Sequence, residues 1–369
     1  MVDLKGQYLQ IKEEIDAGIN AVIEDTRFIN GPAVKEFSQD LATYLGVKHV
    51  VPCGNGTDAL QIALMALGLE PGDEVITANF TFAATVEVIG LLNLKPVLVD
   101  VDPSNFTLLP ELVEQAITPK TKAIIPVHLY GQCAPMEALL SIAEKHGIPV
   151  VEDTAQAIGS KCLVKGEWKA AGTMGAIGTT SFFPSKNLGC YGDGGAMFTN
   201  DDVLGAKLKA ITNHGMTRKY YHDEIGVNSR LDTIQAAVLK VKLPRLDQYS
   251  AARKAAANRY NEAFADVPEI TTPVTEAYSD HVFHQYTMKI SGGKRDELRD
   301  YLQEHGVPSM VYYPVPLHRQ KAYLQAGVGD EQFPNTLQLI DEVISLPMHT
   351  ELDGDQQQII IERVKSFFK

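Results

Sequence analysis

Lys186 stands in the run Ser181-Phe182-Phe183-Pro184-Ser185-Lys186-Asn187-Leu188-Gly189-Cys190-Tyr191-Gly192-Asp193-Gly194-Gly195, with two aromatics before it and a burst of glycines after it. The segments 178–183 and 194–199 read as buried strands, so this lysine is badly placed for a solvated surface charge. An amine kept from water has a lowered pKa and can attack a carbonyl to form a Schiff base. The plainer reading is an ordinary loop lysine. Four further stretches have the same double character. Cys53-Gly54-Asn55-Gly56-Thr57-Asp58-Ala59-Leu60 runs from a strand into a helix. Its glycines expose backbone N–H groups at a helix N-terminus and Thr57 adds a hydroxyl, which suits an anion or simply an N-capped helix. Asp153 follows the apolar strand Pro149-Val150-Val151-Glu152 and can hold a heteroaromatic nitrogen protonated or cap the next helix. Phe82, between Thr81 and Ala83, can stack on a planar ring or fill the core. Asn228 and Arg230, in the polar turn 226–232, can meet an anionic ligand or form surface hydrogen bonds.

Taken together, an anion cradle, a ring stacker, a ring-nitrogen partner and a Schiff-base lysine fall at strand ends of one predicted sheet. These are the groups that pyridoxal phosphate requires: a phosphate site, a ring sandwich, a partner for the pyridine nitrogen and a tether for the aldehyde.

The elements that must position them follow from hydrophobic periodicity. Residues from about Gly6 to Tyr44 predict two helices with a turn at Asn30-Gly31-Pro32. Strands are predicted at 49–51, 74–77, 96–99, 122–126 and 149–152, with helices at 57–67, 82–91 and 135–146 between them. Such alternation implies an α/β fold with a largely parallel sheet covered on both faces, and ligands of such sheets sit at the carboxyl ends of the strands. Residues 231–264 predict one or two long helices interrupted at Pro244. Beyond Pro268, strands at 283–290 and 307–313 and helices at 294–304 and 355–367 predict a small α+β unit. The expected division is a large domain over 1–245, including the N-terminal helices, and a small C-terminal α+β domain over 246–369.

Composition sets the outer limits. The 369 residues carry a formal net charge of -13, which argues against nucleic acid as a partner, since phosphate backbones select basic surfaces. Small phosphorylated ligands need only a few local donors and remain open. The start of the chain lacks the apolar core of a signal peptide, and no run is long enough to span a bilayer. The four cysteines, Cys53, Cys133, Cys162 and Cys190, have no spacing suited to zinc or a disulfide framework. The expectation is a cytoplasmic, reduced protein with no bound metal and no membrane partner.

The chain resembles the DegT/StrS family of nucleotide-sugar aminotransferases, a branch of the fold-type I pyridoxal-phosphate enzymes. The resemblance runs from Asp3-Leu4-Lys5 through Gly54 to Leu60, Glu152-Asp153-Thr154-Ala155-Gln156, Ser181 to Gly195 and Asn228-Ser229-Arg230-Leu231-Asp232 to Tyr312-Tyr313-Pro314-Val315-Pro316-Leu317-His318. It implies that Lys186 carries the cofactor as a Schiff base and shuttles the proton, and that Asp153 pairs with the pyridine nitrogen. Gln156 would lie near the ring's phenolic oxygen. Gly56, Thr57 and Ser181 would hold the phosphate, and Phe82 would stack on the ring. Asn228 would reach the phosphate from the partner subunit of a homodimer with shared active sites. Arg230, Tyr313 and His318 are the expected substrate contacts. The family also contains dehydratases with histidine in place of the lysine, so Lys186 points to the transaminase branch.

The detail around Lys186 resembles members that aminate UDP-linked 2-acetamido-3-keto uronic acids on the way to surface polysaccharides, although Asn187 stands where proline is expected in those members. The implied reaction is ping-pong, with glutamate as donor and a keto sugar nucleotide as acceptor. Alternatives are a dTDP-3-keto or UDP-4-keto deoxy sugar as acceptor, elimination or decarboxylation of an amino acid on the same cofactor, and a non-catalytic regulator that keeps the fold.

Overall fold

A computed structural model describes all 369 residues, Met1–Lys369. Seven strands form the central sheet and are numbered here in chain order: β1 His49–Cys53, β2 Glu74–Ala78, β3 Lys95–Val99, β4 Thr121–Ile125, β5 Val151–Asp153, β6 Ile177–Ser181 and β7 Gly195–Thr199. Across the sheet the order is β1-β7-β6-β5-β4-β2-β3; β4 and β5 are joined by the parallel bridges Ile124–Val150 and Val127–Asp153. Only β7 runs against its neighbours. The sheet is therefore parallel apart from one strand, as the alternation of apolar runs and helices predicts. β2 is buried along its whole length, and so is β7.

Helices cover both faces. Gly56–Leu67 and Ala84–Leu91 bury apolar residues with Val51, Val75, Ile125, Ile177 and Met197 on one side. Met136–His146 packs on the other, with Ile76, Val99 and Ile124. Glycine is required where β7 meets the first of these helices. A Cβ on Gly195 would lie 2.4 Å from the Asn55 carbonyl carbon, and one on Gly56 would lie 2.7 Å from Ser181 Cβ. The two strands flanking the lysine loop can approach the helix N-terminus only because those side chains are missing.

A further apolar cluster gathers residues of the helices Leu246–Phe264, Arg295–Glu304 and Gly354–Phe367 around a small antiparallel sheet, Ile270–Thr271, Tyr286–Ile290 and Val343–Leu346. The helix Pro334–Glu342 instead sends Leu339 and Ile340 into the cluster of the large sheet.

Three sequence expectations change. The N-terminal stretch forms three helices, Leu4–Gln10, Lys12–Asp25 and Pro32–Leu45, because Ile11 leaves helical geometry at φ -126°. The strand expected at 283 starts at Tyr286, since Phe283 has φ 45°. Residues 307–313 make a single bridge, Met310 to Ser345, and otherwise run as an irregular segment. Pro244 does break the long helical stretch, into Thr233–Lys242 and Leu246–Phe264 with one 3₁₀ turn between them. No helix is long and apolar enough to cross a membrane.

Candidate active site

The carboxyl ends of β5 and β6 open into a cavity of about 640 Å3. Its lining includes Gly56, Thr57, Phe82, Asp153, Gln156, Ser181, Lys186 and Tyr313, which the sequence places as far as 257 positions apart (313 − 56).

Strand alternation separates two adjacent carboxylates. Glu152 turns into the interior, where it accepts from the backbone N–H groups of Gly172, Met174 and Gly175 at 2.8, 2.7 and 2.6 Å. His128 Nε2 also donates to it, at 3.0 Å, since the ring's Nδ1 accepts from the Ala134 N–H. Four donors anchor this end of β5 and make the buried charge tolerable. Asp153 turns to the cavity. Its Oδ2 accepts from the Thr85 hydroxyl at 2.9 Å and its Oδ1 from the Ala155 N–H at 3.1 Å. Asp153 does make a local turn contact, yet it also stands on the cavity wall, aimed and only 5% exposed.

Lys186 follows β6 in a loop closed by three backbone bonds: Phe182 N–H to Gly194 O at 2.7 Å, Lys186 N–H to Phe183 O at 2.8 Å and Cys190 N–H to Phe182 O at 2.8 Å. Burial pushes its amine down to about 8, opposed by the Asp153 carboxylate. A lysine in that range can exchange protons near neutral pH.

The anion cradle lies at the start of the helix Gly56–Leu67. Asn55 caps it by accepting from the Asp58 N–H at 2.8 Å, which leaves the N–H groups of Gly56 and Thr57 at the open end. Ser181 closes the cradle from the sheet; its Oγ accepts from the Phe183 N–H at 3.2 Å, so its own proton is free to donate. Phe82 is 56% exposed, while Phe80 two residues earlier is 1% exposed. The core position is therefore Phe80, and Phe82 sits in the cavity with its ring 6.1 Å from that of Tyr313.

Gln156 is held at both ends of its amide: Oε1 accepts from the Tyr130 N–H at 2.7 Å, and Nε2 donates to Tyr313 Oη at 3.0 Å. Burial raises the Tyr313 phenol, so it stays protonated. Tyr130, Thr85, His284 and Gln285 also belong to this site or its immediate support. No sequence signal marks the last two, because they come from the connection into the small sheet.

Three expected residues lie elsewhere. Asn228 is exposed and outside the cavity of its own chain. Arg230 lines a second cavity of about 950 Å3 beside Lys35, Lys48 and Lys209, with Nη1 3.4 Å from Asn213 Oδ1. His318 does not line the site either. It is 4% exposed, its Nδ1 accepts from Asn79 at 2.8 Å and its Nε2 donates to Asp330 at 2.9 Å. Both ring nitrogens are engaged, tying this residue to Asn79 and to Asp330.

Comparison with known proteins identifies the family. The DegT/DnrJ/EryC1/StrS aminotransferase family pattern spans residues 9–365. The chain is 48% identical to UDP-2-acetamido-2-deoxy-3-oxo-D-glucuronate aminotransferase of Pseudomonas aeruginosa, over 97% of this chain and 97% of that one. It is also 48% identical to a protein of Geobacillus stearothermophilus named pleiotropic regulatory protein, over 100% of this chain and 98% of that one. Among solved structures, NtdA of Bacillus subtilis, described with bound cofactor PMP, superposes with a TM-score of 0.89 at 31% identity, over 97% of this chain and 82% of that one. The fold is that of the fold-type I enzymes, and the chain belongs to the DegT/DnrJ/EryC1/StrS aminotransferase family.

Proposed function

We propose that this aminotransferase uses pyridoxal 5′-phosphate to move an amino group from glutamate to a keto sugar nucleotide, a UDP-linked 2-acetamido-3-keto uronic acid. The observation that carries the reading is the placement of Lys186, Asp153 and the helix N-terminus at Gly56–Thr57 on one cavity. When bound, the cofactor supplies an aldehyde that carries the amino group and a ring that draws electrons from the reacting carbon. Gly56 and Thr57 offer backbone N–H groups, and Ser181 a hydroxyl, to its phosphate. Phe82 offers a ring face. Asp153, held by Thr85 and Ala155, keeps a proton on a heteroaromatic nitrogen, and that positive charge is what makes the ring an electron sink. Lys186 tethers the aldehyde and, once released, moves a proton to and from the reacting carbon.

The UDP-linked 3-keto acceptor is supported by the Pseudomonas aeruginosa relative and by the residues around Lys186. A homodimer with shared sites accounts for the exposure of Asn228 outside its own cavity: it would reach the phosphate bound by the partner chain. The relative named as a regulator favours a second reading, a cofactor-binding protein without turnover. Retention of Lys186 and Asp153 on one cavity favours the enzyme.

Incubation with glutamate and a panel of keto sugar nucleotides, followed by NMR of the products, tests both readings. The expected product carries its new amine at C3 of a UDP-linked acetamido uronate. An amine at C4, or preference for a dTDP-linked deoxy sugar, replaces the substrate. A chain that stays colourless after pyridoxal phosphate is added favours the regulator.

A further inference from the structure

Asn187, immediately after Lys186, is 5% exposed and turns away from the cavity toward the segment that enters the small sheet. Its Nδ2 donates to the Val282 carbonyl at 3.1 Å, which fixes the orientation of the amide. Its Oδ1 then faces His284 Nδ1 at 3.3 Å. An amide oxygen only accepts, so the proton sits on Nδ1 of His284, and Nε2 is the lone-pair nitrogen of that ring. Gln285 Nε2 lies 3.5 Å from Nε2, a long contact that leaves this lone pair weakly engaged. His284 lines the same cavity as Lys186.

The segment that holds His284 is rigidly tied. Val282 N–H donates to Gly131 O at 2.9 Å and Gln285 N–H to Tyr130 O at 3.3 Å. Buried Arg253 reaches the carbonyls of Phe283, His284 and Met348 at 3.2, 3.3 and 3.2 Å. Two cations act on the imidazole, Lys186 from the lysine loop and Arg253 from the helix Leu246–Phe264. The carboxylates on the cavity are Asp58, which accepts from Ser229 Oγ at 2.5 Å, Asp153, which is held by Thr85, and Asp193. Burial and the two cations keep His284 well below the usual histidine range, and the ring neutral.

We propose that Asn187 and His284 form a positioning pair for Lys186: the amide selects the Nδ1–H tautomer, and the Nε2 lone pair serves as the acceptor that steadies the lysine amine during its proton transfers. The inference rests on Lys186 being the reacting amine. A neutral acceptor suits this task, because a second cation would drive the proton off the lysine and a carboxylate would trap it there. It also gives Asn187 a purpose that proline, having no side-chain amide, cannot serve.

Two measurements on the cofactor-free chain test the pair. In the ¹⁵N-histidine-labelled protein, long-range correlation spectra, assigned with His284→Phe, should show the Nδ1–H pattern for His284, and Asn187→Ala should mix the tautomers. Competitive acetylation of Lys186, read by mass spectrometry across about pH 6 to 10, should give a midpoint near 8. His284→Phe should lower that midpoint by about one unit, because an acceptor near the ammonium is lost. In the loaded enzyme, His284→Phe and Asn187→Ala should each lower kcat roughly tenfold with the donor KM within about twofold. The double variant should lose little more, since the residues act as a unit. An Nε2–H pattern in the wild-type chain overturns the proposal and needs no variant to fold. An unchanged acetylation curve in a folded His284→Phe also overturns it. The aminotransferase reading fails separately, if the wild-type chain neither binds pyridoxal phosphate nor transfers an amine.

Discussion

The Thr85 hydroxyl donates to Asp153 Oδ2 at 2.9 Å, so the second residue of the helix Ala84–Leu91 aims the carboxylate at the end of β5. Asp153→Asn should retain cofactor yet slow the glutamate half-reaction by about 10² or more, because a neutral amide cannot favour a protonated ring nitrogen. Thr85→Val leaves the charge and removes the aim, for a loss of roughly tenfold. Stopped-flow absorbance measures both. Equal losses in the two variants would show that orientation, not charge, is the contribution of Asp153.

Lys186→Ala should abolish transamination and keep the fold, because this side chain faces the cavity and supplies no packing to the apolar clusters. The purified variant should lose the yellow colour that borohydride bleaches in the parent. Far-UV circular dichroism checks the fold, and substantial turnover would reject the assignment.

Lys242 is 1% exposed, donates to the Gly189 carbonyl at 2.8 Å and sits 4.4 Å from the Tyr191 ring centroid, which braces the lysine loop from behind. Burial lowers its amine from 10.5 to about 8. The unfolded chain therefore binds more protons between these values, and stability rises with pH across that window. Lys242→Met should reduce the slope there by up to about 1.4 kcal/mol per pH unit. Urea unfolding at successive pH values measures it, with Lys186 supplying the remaining rise in the cofactor-free chain. An unchanged slope would mean that the ammonium is solvated in the folded protein.

His318→Ala should cost about 1–3 kcal/mol of stability, because Asn79 loses a partner in the interior. Activity per folded molecule should change less than about threefold, since the ring lies outside the cavity. Urea melts and steady-state kinetics on the same preparation separate the two. A large rise in the acceptor KM with intact stability would restore His318 to the substrate site.

The proposal of sites shared between two chains predicts complementation. Under the proposed sharing, Asn228→Asp would place a carboxylate against the phosphate bound by the partner chain and should be inactive, as should Lys186→Ala. In a mixed dimer of the two, one site holds both defects and the other neither. With random mixing, activity should return to roughly a quarter of wild type. Mixed dimers that recover nothing would place each site within one chain.

Much of this protein was legible without coordinates. Period-two and continuous apolar runs mark the strands, because a strand buried on both faces needs such residues regardless of its neighbours. Glycines at 54 and 56 ahead of Thr57 mark a helix N-terminus open to an anion, since that requirement is local. Asp153 is legible as a candidate for a similar reason, because it ends β5 and strand ends face ligands in such sheets, and Lys186 because it stands in the loop between two apolar strands. Tertiary structure alone decided the rest. Phe80 and Phe82 are equally apolar, and only packing assigns one to the core and the other to the cavity. Glu152 and Asp153 are adjacent carboxylates, and the facing of β5 decides which is anchored by four donors and which lines the cavity. His318 ends a motif that the family resemblance assigns to the substrate site, and only the fold shows Asn79 and Asp330 engaging both of its nitrogens outside the cavity. His284 carried no signal at all, because its partner Asn187 lies 97 positions away and a hydrogen bond between such residues exists only once the chain has closed that loop.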